Sequence, residues 1–333
     1  MNNVKDLPLG ITMGCPAGVG PEIIVEAFSK HPEWHQRDKI VVFGDEAILR
    51  RAMGVTGIEL PILDADSPDL GLHLFSVTSL DTGKCPFGKP TRTTGEASYR
   101  YIVAAIKAAQ EGRIGGIVTA PISKEGLRMA GIHYPGHTEI LADHTNTKDY
   151  RMMLMGERLK VVLVTIHVAL SKVPQAITRE KVLDTIVIVN EGLKRDFGIA
   201  APRIAVAGLN PHAGEGGMFG NEETEVIEPA VREARSMGIE CSGPYPPDTV
   251  FYRALHGEFH VVCAQYHDQG LIPLKLIHFE DGVNVTLNLP IVRTSVDHGT
   301  AYDIAGHGPA SPTSLVAAVD VAREMMRCRR KHQ

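Results

Sequence analysis

Short runs of β-branched and apolar residues recur along this chain and alternate with segments of helix length, and this alternation restricts the fold more than any other feature. Ile40-Val41-Val42-Phe43, Gly116-Ile117-Val118-Thr119, Val161 to Ile166, Ile204 to Ala207 and Val261 to Ala264 read as buried strands. Between them, Pro21 to Lys30, Gly95 to Gln110, Thr178 to Lys194 and Glu222 to Met237 place apolar residues at three- and four-residue steps, as amphipathic helices do. Strand alternating with helix implies an α/β sandwich. Thr178 supplies a start signal, because its hydroxyl can cap free amides ahead of Arg179-Glu180-Lys181.

With 333 residues and 44% hydrophobic content, the chain can bury a large core and is of a size at which one core divides into two domains. No internal repeat, low-complexity stretch or long linker marks a boundary, so the division must fall in ordinary loops. The formal net charge of -5 gives no global basic field, which argues against nucleic acid as the main partner. No window approaches the ~20 apolar residues of a membrane helix, and the first thirty residues lack a secretory pattern. Cys15, Cys85, Cys241, Cys263 and Cys328 form no CxxC pair, which fits a reducing compartment better than a disulfide framework; a cytoplasmic protein is expected.

Three histidines share one local setting. His167 follows Val161 to Ile166, His212 follows Ala205 to Leu209 through Asn210-Pro211, and His267 follows Val261 to Tyr266. Ligand sites in open α/β sheets form beyond the carboxyl ends of strands, where three imidazoles could converge on a divalent metal. Asp268 adjoins one of them and Asp248 lies in Pro246-Pro247-Asp248-Thr249, so carboxylates are available to orient a histidine or accept a proton. The alternative for each histidine alone is a hydrogen-bonded structural group at a strand end.

Glycine-rich segments add to the picture. Gly14-Cys15-Pro16-Ala17-Gly18-Val19-Gly20-Pro21-Glu22 is either an anion cradle or a tight strand-to-helix turn; it has neither a P-loop lysine nor GxGxxG spacing. Asn210-Pro211-His212-Ala213-Gly214-Glu215-Gly216-Gly217 carries a histidine where backbone can approach a ligand closely. Asp297 to Ala310 is small, polar and aperiodic, as a ligand-wrapping loop would be. Lys275, Asn284 and Arg293, with Gly136-His137-Thr138-Glu139 opening another helix, supply donors suited to a phosphate or carboxylate. The alternative is a set of solvated charges.

Taken together, these segments resemble the 4-hydroxythreonine-4-phosphate dehydrogenase family, which includes 4-phospho-threonate and 4-phospho-erythronate dehydrogenases. The resemblance spans nearly the whole chain. It rests on Thr12-Met13-Gly14 with Pro16 to Glu22, Thr119-Ala120-Pro121-Ile122-Ser123-Lys124, Gly136 to Glu139, Asn210 to Glu215, Gln265-Tyr266-His267-Asp268-Gln269-Gly270 and Ser295-Val296-Asp297-His298-Gly299-Thr300-Ala301. It implies a two-domain α/β/α sandwich of the isocitrate/isopropylmalate dehydrogenase type, not a Rossmann dinucleotide fold, with residues 1–135 plus 295–333 on the cofactor side and 136–294 carrying metal, substrate and dimer contacts. It also implies one divalent metal (zinc, manganese, cobalt or magnesium) on His167, His212 and His267, in active sites shared by a homodimer. Substrate contacts are implied for His137, Thr138, Lys275, Asn284 and Arg293. The segment His298 to Gly306 is similar to the cofactor loop of isopropylmalate and isocitrate dehydrogenases, which makes His298, Gly299, Thr300, Asp303 and Gly306 the candidate NAD contacts. Lys275, Asp248 and Asp268 are the candidate catalytic groups.

The implied reaction is hydride transfer to NAD from a small phosphorylated hydroxy acid, followed by decarboxylation of the β-keto acid so formed. Thr119-Ala120-Pro121-Ile122, Met152-Met153-Leu154-Met155 and Asp281-Gly282-Val283-Asn284-Val285 look closer to the sugar-acid branch, whose product would be dihydroxyacetone phosphate. The amine-bearing substrate of pyridoxal phosphate biosynthesis is the alternative. Lys275 and Arg293 favour a phosphorylated substrate over the aromatic dihydrodiols of a third branch. Two features depart from the family pattern. Cys15 stands where aspartate is usual, and His307 where smaller or different residues are common. A non-catalytic metal- and NAD-binding homologue and a metallohydrolase are the readings from other classes.

Overall fold

The computed structural model describes residues 7–36, 39–308 and 310–331. The chain begins β1 Leu9–Thr12, α1 Gly20–Lys30, β2 Ile40–Gly44, α2 Glu46–Thr56, β3 Ile62–Asp64, β4 Leu72–Ser76, α3 Arg92–Gln110, β5 Gly116–Thr119, α4 Lys124–Met129 and α5 His137–His144. It continues with β6 Arg151–Met155, β7 Lys160–Leu163, α6 Val173–Ala176, α7 Arg179–Phe197, β8 Ile204–Ala207, α8 Glu228–Ser236, β9 Cys241–Tyr245 and α9 Pro247–Leu255. The last elements are β10 Val261–Ala264, α10 His267–Ile277, β11 Val283–Leu287, β12 Val292–Val296 and α11 Thr313–Lys331.

These elements form two compact units, Met1–Lys148 with Leu289–Met326, and Asp149–Asn288 with Arg327–Gln333. The crossings read from the sequence lie at 135 and 294. Those of the structure lie at 148, 288 and 326, so α5 and β12 belong to the first unit and the end of α11 to the second.

In the first unit the strands run β3-β4-β2-β1-β5-β12, and every described pairing is parallel. A parallel sheet is covered on both faces, which is why β1, β2, β5 and β12 are buried along their whole length. Helix α3 packs on β1, β2 and β5. Its Ile102, Ala105 and Ile106 join Val41, Phe43 and Ile117 in one apolar cluster. Burying an Ile or Phe side chain there contributes roughly 1.5–3 kcal/mol. A capping box starts the helix: Thr91 accepts from the Thr94 N–H, and the Thr91 N–H donates to the Thr94 hydroxyl.

The second unit is mixed, in the order β11-β6-β7-β10-β8-β9. β6 is antiparallel to both neighbours, whereas β7, β10, β8 and β9 are parallel. Helices α9 and α10 lie against β8, β10 and β7, and Phe251, Leu271 and Leu274 pack on Val161, Leu163 and Val262. Thr178 caps α7 by accepting from Lys181, and left-handed Gly198 (φ 65°) closes it.

Two segments differ from the sequence reading. Regular β7 stops at Leu163, although the Val164 and Thr165 amides still donate to Ala264 and Gln265. The helix read as Glu222 to Met237 opens with a π-helical turn, Glu223–Ile227, before α8. Among the described residues, no helix is long and apolar enough to cross a membrane.

Candidate active site

The second unit brings the three histidine-bearing segments to one sheet edge. His167, His212 and His267 follow β7, β8 and β10, and these strands are parallel neighbours in the order β7-β10-β8. The exits are stitched together by buried amides. Thr165 Oγ1 donates to the Gln265 carbonyl at 2.7 Å, and the Gln265 N–H donates to Gln269 Oε1 at 2.7 Å. Gln265 Nε2 reaches the Ala207 carbonyl at 2.7 Å, and Gln269 Nε2 the Gly208 carbonyl at 2.8 Å. These four hydrogen bonds tie together the strand ends that carry the imidazoles, while the buried Gln265 Oε1 has no protein partner.

Two of the imidazoles stand close together: the His167 and His267 ring centroids are 5.8 Å apart. His212 lies instead against Phe219, at 6.2 Å. Among the described residues, no group of three His, Cys, Asp or Glu side chains is placed to hold a metal ion. The donor set nevertheless suits a divalent metal. His267 Nδ1 is 2.7 Å from Asp268 Oδ1, and a carboxylate on one ring nitrogen fixes the tautomer and leaves Nε2 as the ligand atom.

The first unit brings Arg293, His137 and Thr138 together. Arg293 on β12 is 2% exposed, and one of its terminal nitrogens donates to Thr119 Oγ1 at 2.9 Å. Burial pulls its guanidinium down to about 10, against the pull of Glu139, so it stays cationic at neutral pH. His137 opens α5, with Gly136 as N-cap, and Thr138 is buried beside it. Burial and the Arg293 charge hold the His137 imidazole well below the usual histidine range, against a hydrogen bond to the Ala120 carbonyl. The ring is therefore neutral, and its buried Nε2 has no protein partner. A buried cation, free amides at a helix start and a neutral imidazole make a site for an anionic ligand with a hydroxyl to share.

The expected cofactor segment is an irregular loop, with Pro309 outside the described residues. His298 Nδ1 is 2.9 Å from the Gly299 carbonyl, and its Nε2 is buried without a protein partner. Asp303 and Gly299 are exposed, and Gly306 is left-handed (φ 83°). The segment Gly14 to Glu22 supports this loop. The Val19 N–H donates to the Thr300 carbonyl, Cys15 N–H to Pro121, and Gly18 N–H to Cys15. These three amides are spent inside the protein, as a tight strand-to-helix turn would use them. A Cβ on Gly14 (φ 75°) would sit 2.4 Å from the Pro121 carbonyl oxygen, and one on Gly18 2.8 Å from that of Thr300. Cys15 is buried, with Sγ 3.3 Å from the Tyr302 hydroxyl. Burial first, then Cys15, pushes Tyr302 well above the usual phenol range.

The remaining candidates all lie in the second unit. Lys275, half-buried in the last turn of α10, has Nζ 5.7 Å from the Phe279 ring centroid, and Asn284 sits on β11 opposite Leu154. Asp248 is exposed in the first turn of α9, and Asp268 is exposed in the first turn of α10. Two acids escaped the sequence reading as site residues. Glu22 Oε1 accepts from the Gly306 N–H, and Glu223 Oε1 accepts from the Leu209 and Asn210 amides. Gly306 is far along the chain from Glu22, Leu209 and Asn210 lie on the loop before Glu223, and an acid in a first helical turn ordinarily reads as a solvated one.

The chain matches the family described as pyridoxal phosphate biosynthetic protein PdxA over residues 36–322. It is 51% identical over 323 residues to a 4-hydroxythreonine-4-phosphate dehydrogenase of Geobacter metallireducens, covering 95% of each chain. It is 44% identical over 325 residues to the D-threonate 4-phosphate dehydrogenase of Salmonella typhimurium, covering 95% of this chain and 98% of that one. The crystal structure of 4-hydroxythreonine-4-phosphate dehydrogenase from Klebsiella pneumoniae superposes with a TM-score of 0.86 at 40% identity, covering 98% of this chain and 99% of that one. Fold and likeness together define an α/β protein of the dehydrogenase class. The chain belongs to the PdxA family of dehydrogenases.

Proposed function

We propose that the protein is a cytoplasmic, NAD- and divalent-metal-dependent enzyme that oxidises and decarboxylates a four-carbon 3-hydroxy acid phosphorylated at carbon 4. The observation that carries this reading is buried Arg293 beside the neutral His137 at the start of α5. Arg293, Thr138 and the free α5 amides bind oxyanion groups of the substrate, with Lys275 and Asn284 as further donors. His137 accepts a hydrogen bond from a substrate hydroxyl at Nε2. His298, Gly299, Thr300, Asp303 and Gly306 form the NAD contact.

A divalent metal held by His167, His212 and His267 supplies Lewis-acid polarisation of the reacting oxygen atoms. Asp268 fixes the His267 tautomer, and Lys275, Asp248 and Asp268 are the candidate proton carriers. One of these groups would take the hydroxyl proton, and NAD, when bound, would supply the acceptor for the carbon-3 hydride. Loss of carbon dioxide then leaves an enol, which is protonated at carbon 2. The histidine set is shared between two copies of the chain. Ile272, Leu276 and Phe279, exposed at helical spacing on and just beyond α10, supply an apolar surface for the second copy.

4-Phospho-D-threonate or 4-phospho-D-erythronate is the proposed substrate, giving dihydroxyacetone phosphate, on the strength of Thr119 to Ile122, Met152 to Met155 and Asp281 to Val285. A second reading, 4-phosphooxy-L-threonine, is favoured by the name of the 51% identical relative. NADH formation by the metal-loaded protein on the three compounds, side by side, tests both. Turnover of a sugar acid alone supports the first reading, and turnover of the amino acid alone replaces it with the second. Silence on all three rejects the proposal.

A further inference from the structure

Glu223 is almost fully enclosed, at 2% exposure, and lies at the head of a π-helical turn. Its Oε1 accepts from two consecutive backbone amides, Leu209 and Asn210, both at 2.7 Å. Its Oε2 accepts from Asn210 Nδ2 at 2.9 Å, and the same amide group donates to Glu222 at 2.7 Å. A carboxylate gathering three N–H donors is a strong and directional anchor. π-Helical turns are rare and concentrate at functional sites; this one starts at the acid that reaches back to the exit of β8.

The segment held this way is unusual. His212, Ala213, Gly214, Glu215 and Gly216 all have positive φ, at 52°, 52°, 80°, 44° and 64°. Three of these residues carry a Cβ, for which the left-handed region is disfavoured, so the run persists only where its surroundings enforce it. The loop also lies directly on the acid, because a Cβ on Gly214 would be 2.7 Å from Glu223 Oε2.

We propose that Glu223 is a positioning residue that fixes the left-handed His212 loop and so presents the imidazole to a divalent metal. This rests on the reading of His212 as a metal ligand. Relaxation of the loop would cost the site one imidazole while His167 and His267 stay in place.

The test uses the full-length protein and its Glu223→Ala, Glu223→Gln, Gly214→Ala and His212→Ala variants. The first readout is hydrogen exchange at the Leu209 and Asn210 amides without metal. The second is cobalt(II) affinity, read from its visible absorption. We expect exchange to quicken at least tenfold in Glu223→Ala, with cobalt bound about 10–100-fold more weakly. Glu223→Gln, which keeps an acceptor oxygen, should recover part of both. Gly214→Ala, which crowds the anchor without removing it, should weaken cobalt and serves if Glu223→Ala fails to fold. Unchanged exchange in Glu223→Ala and Glu223→Gln overturns the anchoring, whether or not the protein binds metal. Faster exchange and a lower melting temperature with wild-type cobalt affinity mark a purely structural role and overturn the positioning. If His212→Ala binds cobalt as well as wild type, the ligand reading fails and takes the positioning role with it, while the exchange result still decides whether Glu223 holds the loop.

Discussion

The Gly306 backbone N–H donates to Glu22 Oε1 at 2.9 Å, fastening the end of the expected NAD loop to the first turn of α1. Burial raises the Glu22 carboxyl above its usual range, against this hydrogen bond and the charges of Arg51 and His307. Glu22→Ala frees the loop and should raise the NAD KM about tenfold, equivalent to ~1.4 kcal/mol, with the substrate KM nearly unchanged. Glu22→Gln keeps an acceptor and should remain within about twofold. Steady-state kinetics with each substrate varied in turn checks both, and an unchanged NAD KM in Glu22→Ala removes the loop from cofactor binding.

Arg293 is a cation sealed inside the first unit, where the proposed oxyanion site rests on it. Replacing it with methionine leaves a bound anion uncompensated, and losses of about 2–5 kcal/mol accompany truncation of such a charge pair. The KM for the phosphorylated substrate should therefore rise at least ~30-fold, with NAD affinity in the free enzyme preserved. Calorimetric titration with each ligand separates the two. Equal weakening of both would indicate a collapsed unit instead of a lost contact.

His137 makes stability depend on pH. Its folded pKa lies well below 6.5, so the unfolded chain takes up a proton that the folded chain refuses. Its contribution is fully present above about 6.5 and is lost as the pH falls, at up to ~1.4 kcal/mol per pH unit. Urea unfolding at pH 7.5 and 5.5 should show a steeper loss for wild type than for His137→Gln. Parallel curves would mean that the imidazole is protonated in the folded state.

Cys15, Cys85, Cys241 and Cys263 are buried, and Cys328 is partly exposed. A thiol reagent should therefore find one fast-reacting cysteine in the native protein and all five after denaturation. Cys15→Ser, whose hydroxyl can repeat the contact with Tyr302, should keep turnover within about twofold. A loss beyond tenfold would assign the thiol itself a role that the aspartate usual in the family performs elsewhere.

Leu276 is 86% exposed and Phe279 76% exposed. If this face receives a second copy, Leu276→Glu should shift light-scattering mass from dimer toward monomer and lower activity with it. A variant that remains dimeric places the interface elsewhere.

Much of this architecture can be read from local pattern. The buried runs at β2, β5, β8 and β10, the Thr178 cap and the histidines beyond strand ends follow from side chains near in sequence, whose periodicity and polarity are visible without a structure. The contacts of Glu22 and Glu223 were not legible because each acid accepts from backbone amides of another segment, and backbone donors leave no mark in a sequence. The π-helical turn escaped for a related reason, since one extra residue per turn hardly disturbs an amphipathic pattern. The first glycine-rich segment read equally as cradle or turn because the carbonyls that take its Cys15 and Val19 amides lie on Pro121 and Thr300, far along the chain.

The division of the chain also sets an order for biosynthesis. β12 pairs with β5 in the first unit, yet the Asp149–Asn288 body of the second unit is encoded between them, within about 170 residues from Thr119 to Val292. At roughly 5–20 residues per second, a ribosome needs on the order of 10–30 s to cross that interval. During it the β5 edge stands open as a template for mispairing, so the first unit is begun early and its sheet is closed only after most of the second unit has been made.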